Sequence, residues 1–252
     1  KYIPHIPAIE IVWFRSVFSL IFTVIVLGKK GIPIFGNNKA NLITRGIVGS
    51  ISLILFFYTL QRIPLASAVT MQYLSPIFTT ILGIFILKEK VRPIQFLYFA
   101  MAFAGVLIIQ GFDPRVDALS AGMGLISALA AGIAYNMIRK LKTSEHPLVI
   151  VFYFPLVTMP VASILMYFDW AMPSGWDWLI LLWIGICTQS AQYFMTVAYQ
   201  TGNLSRVSSL SYMGVLYALI FGFFLFGEIF PFASYLGMGL VLIGIFLNLR
   251  VK

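Results

Sequence analysis

Hydrophobic residues along this chain come in long uninterrupted runs rather than in the short amphipathic periods of a soluble fold. Nine runs stand out, at about 8–28, 46–61, 66–87, 93–110, 120–138, 148–168, 179–199, 205–226 and 232–249. Most approach 20 residues, the length needed to cross a hydrocarbon layer as a helix. Helix is the conformation expected for all of them, because unpaired backbone groups are not tolerated in lipid. Between the runs lie short polar or basic segments such as GKKGIPIFGNNKANLITR, QRIPL, KEKVR and GFDPRVDALS.

One run is written twice. Sliding the chain by the 139 residues that separate Tyr73 from Tyr212 lays residues 66–92 over 205–231. Tyr73 then falls on Tyr212, Ile81 on Ile220, Gly83 on Gly222, Phe85 on Phe224 and Glu89 on Glu228. The same shift puts Gly46 on Gly185 and Gly105 on Gly244, so one register holds across several spans. The chain therefore reads as two copies of one unit, over 1–115 and 116–252.

Composition agrees with a membrane protein: 60% of residues are hydrophobic and 10% charged, with a mean hydropathy of +0.96. A net charge of +9 could point to nucleic acid, but the basic residues are scattered in clusters between apolar runs. With alternating sides and residue 1 outside, thirteen basic residues fall on the inner side, Lys29, Lys30, Arg139 and Lys140 among them. Only Lys1, Arg62 and Arg115 fall outside, which sets the inner side, with the C-terminus, as cytoplasmic. Trp170, Trp176 and Trp178 then form an outer aromatic belt. KEKVR lies inside and its counterpart GEIFP outside, so the two copies are inverted, as in secondary transporters. The single cysteine, Cys187, allows no intrachain disulfide.

The run LSPIFTTILGIFILKEKVRPIQFLYFAMAFAGVLII, with Pro76, Glu89, Gln95 and Gly105, resembles the EamA branch of the drug/metabolite transporter superfamily. AIEIVWFRSVFSL, with Arg15, resembles that family's second helix. Val215 departs from the pattern where a proline is expected, and Tyr98 stands where the second copy has Gly237. The resemblance implies a ten-helix exporter or exchanger of small polar metabolites with a central cavity.

Candidate cavity residues come from polar stripes inside apolar helices. Gln189, Gln192, Tyr193 and Thr196 share one face of the seventh span. Ser208, Ser209 and Tyr212, together with Ser205, do the same on the eighth. Gln72, Tyr73 and Tyr58 in the first copy, and Asn136 late in the fifth span, are further candidates. Such groups either line a watery path or hydrogen-bond between helices. Arg15 lies about 10 Å inside its helix end. It either binds an anionic group or is structural, snorkelling outward or bending to reach Glu10. Gly124, Ala128 and Gly132 read as a packing seam, and Glu89 and Glu228 as turn residues.

The expected fold is an all-α polytopic membrane protein built as an inverted repeat of five-helix units. The shift maps Lys140 onto Lys1, so the counterpart of the fifth span falls before the chain begins. Nine transmembrane helices are then present and the first of ten is missing. The expectation is a groove lined by the second, third and seventh spans. The expected function is secondary transport of small polar, amino-acid-like compounds across the inner (cytoplasmic) membrane by alternating access. An intramembrane enzyme would need catalytic groups, and no HExxH motif, mid-membrane aspartate pair or Ser–His pair is present. A channel or structural membrane protein stays open. The expected partners are a polar solute and the bilayer, with a homodimer left open; no nucleic acid, metal or cofactor is called for.

Overall fold

The computed structural model describes residues 3, 5–63, 65–110, 117–167, 170–226 and 231–251, and every regular element among them is an α-helix. Seven of the expected spans are single helices: α1 (Ala8–Lys29), α2 (Lys39–Arg62), α5 (Pro93–Gln110), α6 (Ala118–Lys140), α7 (Pro147–Met166), α8 (Asp177–Thr201) and α11 (Phe232–Arg250). The third and eighth spans are each broken in two, giving α3 (Leu65–Gln72), α4 (Ser75–Ile86), α9 (Leu204–Leu210) and α10 (Met213–Phe226). Among the described residues, seven helical stretches are long and apolar enough to cross a membrane, and Pro93–Ile109 is a shorter apolar helix. The second helix starts well before residue 46. Asn38 bonds the Asn41 N–H through its side chain and the Leu42 N–H through its carbonyl, so the polar residues 39–45 form helix rather than loop.

The two breaks occupy equivalent places in the repeat. Tyr73 N–H bonds the Thr70 carbonyl at 3.1 Å, and Tyr212 N–H bonds the Ser209 carbonyl at 3.2 Å. At both, the backbone tightens to three-residue bonding before the next helix begins. Pro76 cannot donate to the Gln72 carbonyl, which accounts for the first break. Val215 in its place does not prevent the second. α4 closes with Lys88 at φ 55°, and the Glu89 N–H returns to the Gly83 carbonyl, the left-handed helix stop that turns the chain. Glu228 lies outside the described residues.

The chain divides into two compact units, Lys1–Ile51 with Met137–Thr201, and Ser52–Asn136 with Gly202–Lys252. Each unit takes elements from both sequence copies, and in each one equivalent pair packs antiparallel, α1 with α7 and α5 with α11. In the second unit α5 and α11 form the most extensive helix pair. A Cβ at Gly105 would lie 2.6 Å from the Gly237 carbonyl oxygen, and one at Gly244 would lie 2.8 Å from that of Tyr98. Shifting Gly105 and Gly237 by 139 in opposite senses gives Gly244 and Tyr98, so the two contacts are repeat mates. The first unit shows the same relation. A Cβ at Gly185 would meet Phe18 at 2.8 Å, and one at Gly46 would meet Val157, the counterpart of Phe18, at 2.8 Å. Antiparallel mates in register are what an inverted repeat requires.

α6 packs in the second unit, with Gly124 against Met71 and Gly132 against Phe78. The counterparts of Met71 and Phe78 are Leu210, 45% exposed, and Tyr217, 54% exposed. Within this unit the uncovered positions thus lie on the eighth span, whereas the third is covered by α6. The expected groove had included the third span.

Candidate functional site

The polar face of α8 meets α1 and α7 inside the first unit. Gln189 Nε2 donates to Thr23 Oγ1 at 2.6 Å, and Thr23 donates to the Ser19 carbonyl at 2.7 Å. Around this pair opens a cleft of about 380 Å³, within the range of small-molecule sites. Thr23 and Val26 border it from α1, Lys30 from the C-cap of that helix, Leu148 from α7, and Gln189 and Tyr193 from α8. Gln189 also borders a second, smaller cavity of about 10 Å³, with room for about one water. There it is joined by Arg15, Ser19 and Gln192, and by Val151 and Pro155 of α7. Pro155 has no N–H to give the Val151 carbonyl, so the wall of this cavity interrupts the α7 bonding ladder.

The Arg15 guanidinium lies 5.7 Å from the centre of the Phe154 ring, and that of Arg45 lies 5.0 Å from the same centre. Glu10 does not hydrogen-bond to Arg15: its Oε1 is buried without a partner among the described residues. It is fully buried, and its Oε2 accepts the Ala171 N–H at 3.0 Å. No carboxylate lines either cavity.

Both ends of this unit are tied. At one end Glu145 Oε1 accepts the Asn37 N–H at 2.6 Å and that of Asn38. Tyr153 donates to the Phe35 carbonyl at 2.9 Å, and Gln200 Nε2 donates to the Glu145 carbonyl at 3.0 Å. His146 caps α7 by accepting the Leu148 N–H at 3.2 Å. Burial, then the charge of Lys30, hold the imidazole of His146 below its ordinary pKa. At the other end His5 meets Asp177 at 2.9 Å, and Trp13 donates to Ser163 at 2.8 Å. Phe14 packs edge-on to Trp178 at 5.4 Å.

Arg15, Gln189, Gln192 and Tyr193 thus border cavities, while Thr196 is buried in the same unit with Oγ1 unpartnered among the described residues. The other candidates belong to the second unit. Tyr73 stacks on Tyr212 at 5.9 Å. The Tyr212 hydroxyl and Ser208 Oγ are buried without hydrogen-bond partners among the described residues. Ser209 bonds the Arg206 carbonyl, and Gln72 accepts from Ser127 at 3.0 Å. Asn136 donates to the carbonyls of Thr79 and Gly132, both at 2.9 Å. Tyr58 carries the Arg62 guanidinium over its ring at 4.4 Å. Sequence reasoning missed Thr23 and Ser19. Their signal was the spacing of Arg15, Ser19 and Thr23 along one face of α1, hidden among apolar neighbours.

The EamA-like transporter family matches residues 1–111 and again 119–250, almost the whole chain. The chain belongs to the EamA-like transporter family. It is 30% identical to a pseudopaline exporter of Pseudomonas aeruginosa over 89% of this chain and 80% of that one. Human solute carrier family 35 member G1 is 28% identical, over 91% of this chain and 68% of its own. A riboflavin transporter of Vibrio cholerae is 27% identical, over 73% and 62%. A crystal structure 17% identical superposes with a TM-score of 0.85 over 98% of this chain and 90% of its own, an agreement in fold. This EamA protein is a polytopic membrane transporter, and its inverted helical repeat is that of its family.

Proposed function

We propose that this EamA transporter exports or exchanges small polar metabolites across the cytoplasmic membrane by alternating access, without chemical conversion. The cleft beside Gln189 carries the reading. It offers about 380 Å³ inside a membrane-spanning unit, bordered by amide, hydroxyl and phenol groups, by the Lys30 ammonium and by no carboxylate. A few polar donors and acceptors in an apolar wall suit a solute that must bind, then leave. Export is supported by the exporter among its relatives. Two sequence repeats, 1–115 and 116–252, supply equivalent helices to each unit, an arrangement suited to rocking motions. The basic loops are read as cytoplasmic, with the C-terminus. Support comes from the Glu145 clamp on Asn37 and Asn38, which brings the loop after α1 and the 141–146 linker to one end.

Counterflow in proteoliposomes tests the reading: radiolabelled amino acids, nucleosides and flavins outside, each with its unlabelled form inside. Accumulation of unaltered label for one class is the expected result. Chemical conversion, or equal leakage of all solutes as through a channel, overturns it. For topology, Trp176→Cys and Lys142→Cys are made separately after Cys187→Ser, which removes the exposed native thiol. An impermeant maleimide on intact cells should reach position 176 and not 142; the reverse inverts the assignment.

A further inference from the structure

Arg15, Ser19, Thr23 and Val26 border the two cavities from a single helix, α1, and Lys30 from its C-cap. Their spacings of three and four place them on one face, a track with a guanidinium at one end and an ammonium at the other. The described acids of this unit are engaged away from it. Glu10 holds the Ala171 N–H, Glu145 the N–H groups of Asn37 and Asn38, and Asp177 both His5 and the Ser174 N–H. An arginine inside a bilayer without a counter-charge is costly, and the face of one phenyl ring, shared with Arg45, offsets little of that cost. Gln192 lines the Arg15 cavity and hydrogen-bonds to no other described side chain, so its amide is available to a second oxygen. We propose that Arg15 binds the anionic group, carboxylate or phosphate, of the transported solute.

The proposal rests on the transport reading and narrows its solutes to organic anions. The body of the solute occupies the larger cleft. The Arg15 cavity holds about one water, so an anionic group reaches the guanidinium only as α1 and α8 part around Gln189. Lys30, exposed at the far end of the cleft, is the second cationic station on the same path. Between the two stations only neutral hydroxyls and amides face the anion, which leaves it free to move on.

The test is solute binding to the purified full chain in nanodiscs of zwitterionic phosphatidylcholine, read as thermal shift. Glutamate with glutamine, aspartate with asparagine, succinate with succinamide and glycerol phosphate with glycerol form matched pairs. The wild type should bind one or more anions over the neutral partner. Arg15→Gln should lose about tenfold or more in affinity for the anion, equivalent to about 1.4 kcal/mol, with no change for the neutral partner. Arg15→Lys, which keeps the charge, should retain a weakened response and guards against a folding defect. Neutral partners bound as well as anions, no response to any anion, or Arg15→Gln binding like the wild type would each overturn the proposal. A response only to phosphatidylglycerol in the disc, lost in Arg15→Gln, also overturns it, assigning the site to a lipid headgroup. If neutral solutes bind and exchange in counterflow, the transport reading survives and the anion falls. If nothing exchanges, the transport reading falls whatever Arg15 binds.

Discussion

Gln189 in the first unit and Gln95 in the second are the same amide on apolar helices, yet their surroundings differ in kind. Gln95 is 6% exposed. It donates to Ser205 at 2.8 Å and Asn248 at 2.7 Å and accepts the Arg92 N–H at 3.2 Å, all within protein. Among the described residues Gln189 has one hydrogen-bond partner, Thr23, and it borders two cavities. The same contrast runs through the helix pairs. α5 and α11 touch backbone to backbone at Gly105 and Gly237, whereas α1 and α8, though close at Gly185, open into the cleft around Gln189. A polar residue in a membrane helix is glue where protein satisfies it and a site where it borders space.

Breaking the closed seam should have the largest effect. Gly105→Leu places side-chain atoms where the Gly237 carbonyl and the Val241 backbone already stand, within 3 Å, and backbone cannot move aside cheaply. We expect a loss of about 3 kcal/mol, seen as low folded yield and a lower Tm in detergent. Gly28→Ala in α1, where a Cβ meets nothing within 4 Å, should leave stability unchanged or raise it by about 0.5–1 kcal/mol. A seam that tolerates leucine as well as α1 tolerates alanine would erase the contrast.

Gln95→Leu should come next, costing about 1–3 kcal/mol, because Ser205 and Asn248 lose a buried partner. The smallest effect concerns His146. Its lowered folded-state pKa means that the unfolded chain binds the proton more readily. The stability this contributes is present above the ordinary value of 6.5 and declines as pH falls from there toward the folded pKa. Tm recorded from pH 7.5 to pH 5.5 (on the order of the imidazole range) should therefore drop. His146→Asn, which keeps a capping acceptor, should flatten that part of the slope. An unchanged slope would remove His146 as its source.

Much of this was legible in the sequence because the bilayer simplifies it. Run length gave the helices. The register of Gly46 with Gly185 and of Gly105 with Gly244 marked places where helices approach closely, since close approach excludes a side chain, and at Gly105 and Gly244 the neighbour is the repeat mate. The break at Tyr212 was not legible, because Val215 offers no proline to signal it, as Pro76 does after Tyr73. The candidate stripes were read as one group, yet they divide between units, because helical periodicity shows which residues share a face and not what that face meets. Asn136 and Gln72 meet protein; Gln189 and Gln192 border cavities. Arg15 was left between binding an anion and a structural role, snorkelling outward or reaching Glu10, and Glu10 instead accepts the Ala171 N–H.

The most direct measurement of this division is the transport rate per folded molecule of Gln189→Leu set beside that of Gln95→Leu. Both are reconstituted in the same liposomes, with Tm recorded on the same preparations. The account predicts that Gln189→Leu keeps a Tm near wild type and loses about tenfold or more in rate, about 1.4 kcal/mol, while Gln95→Leu lowers Tm and retains its rate per folded molecule. A stable, slow Gln95→Leu with an unstable, fully active Gln189→Leu would contradict it.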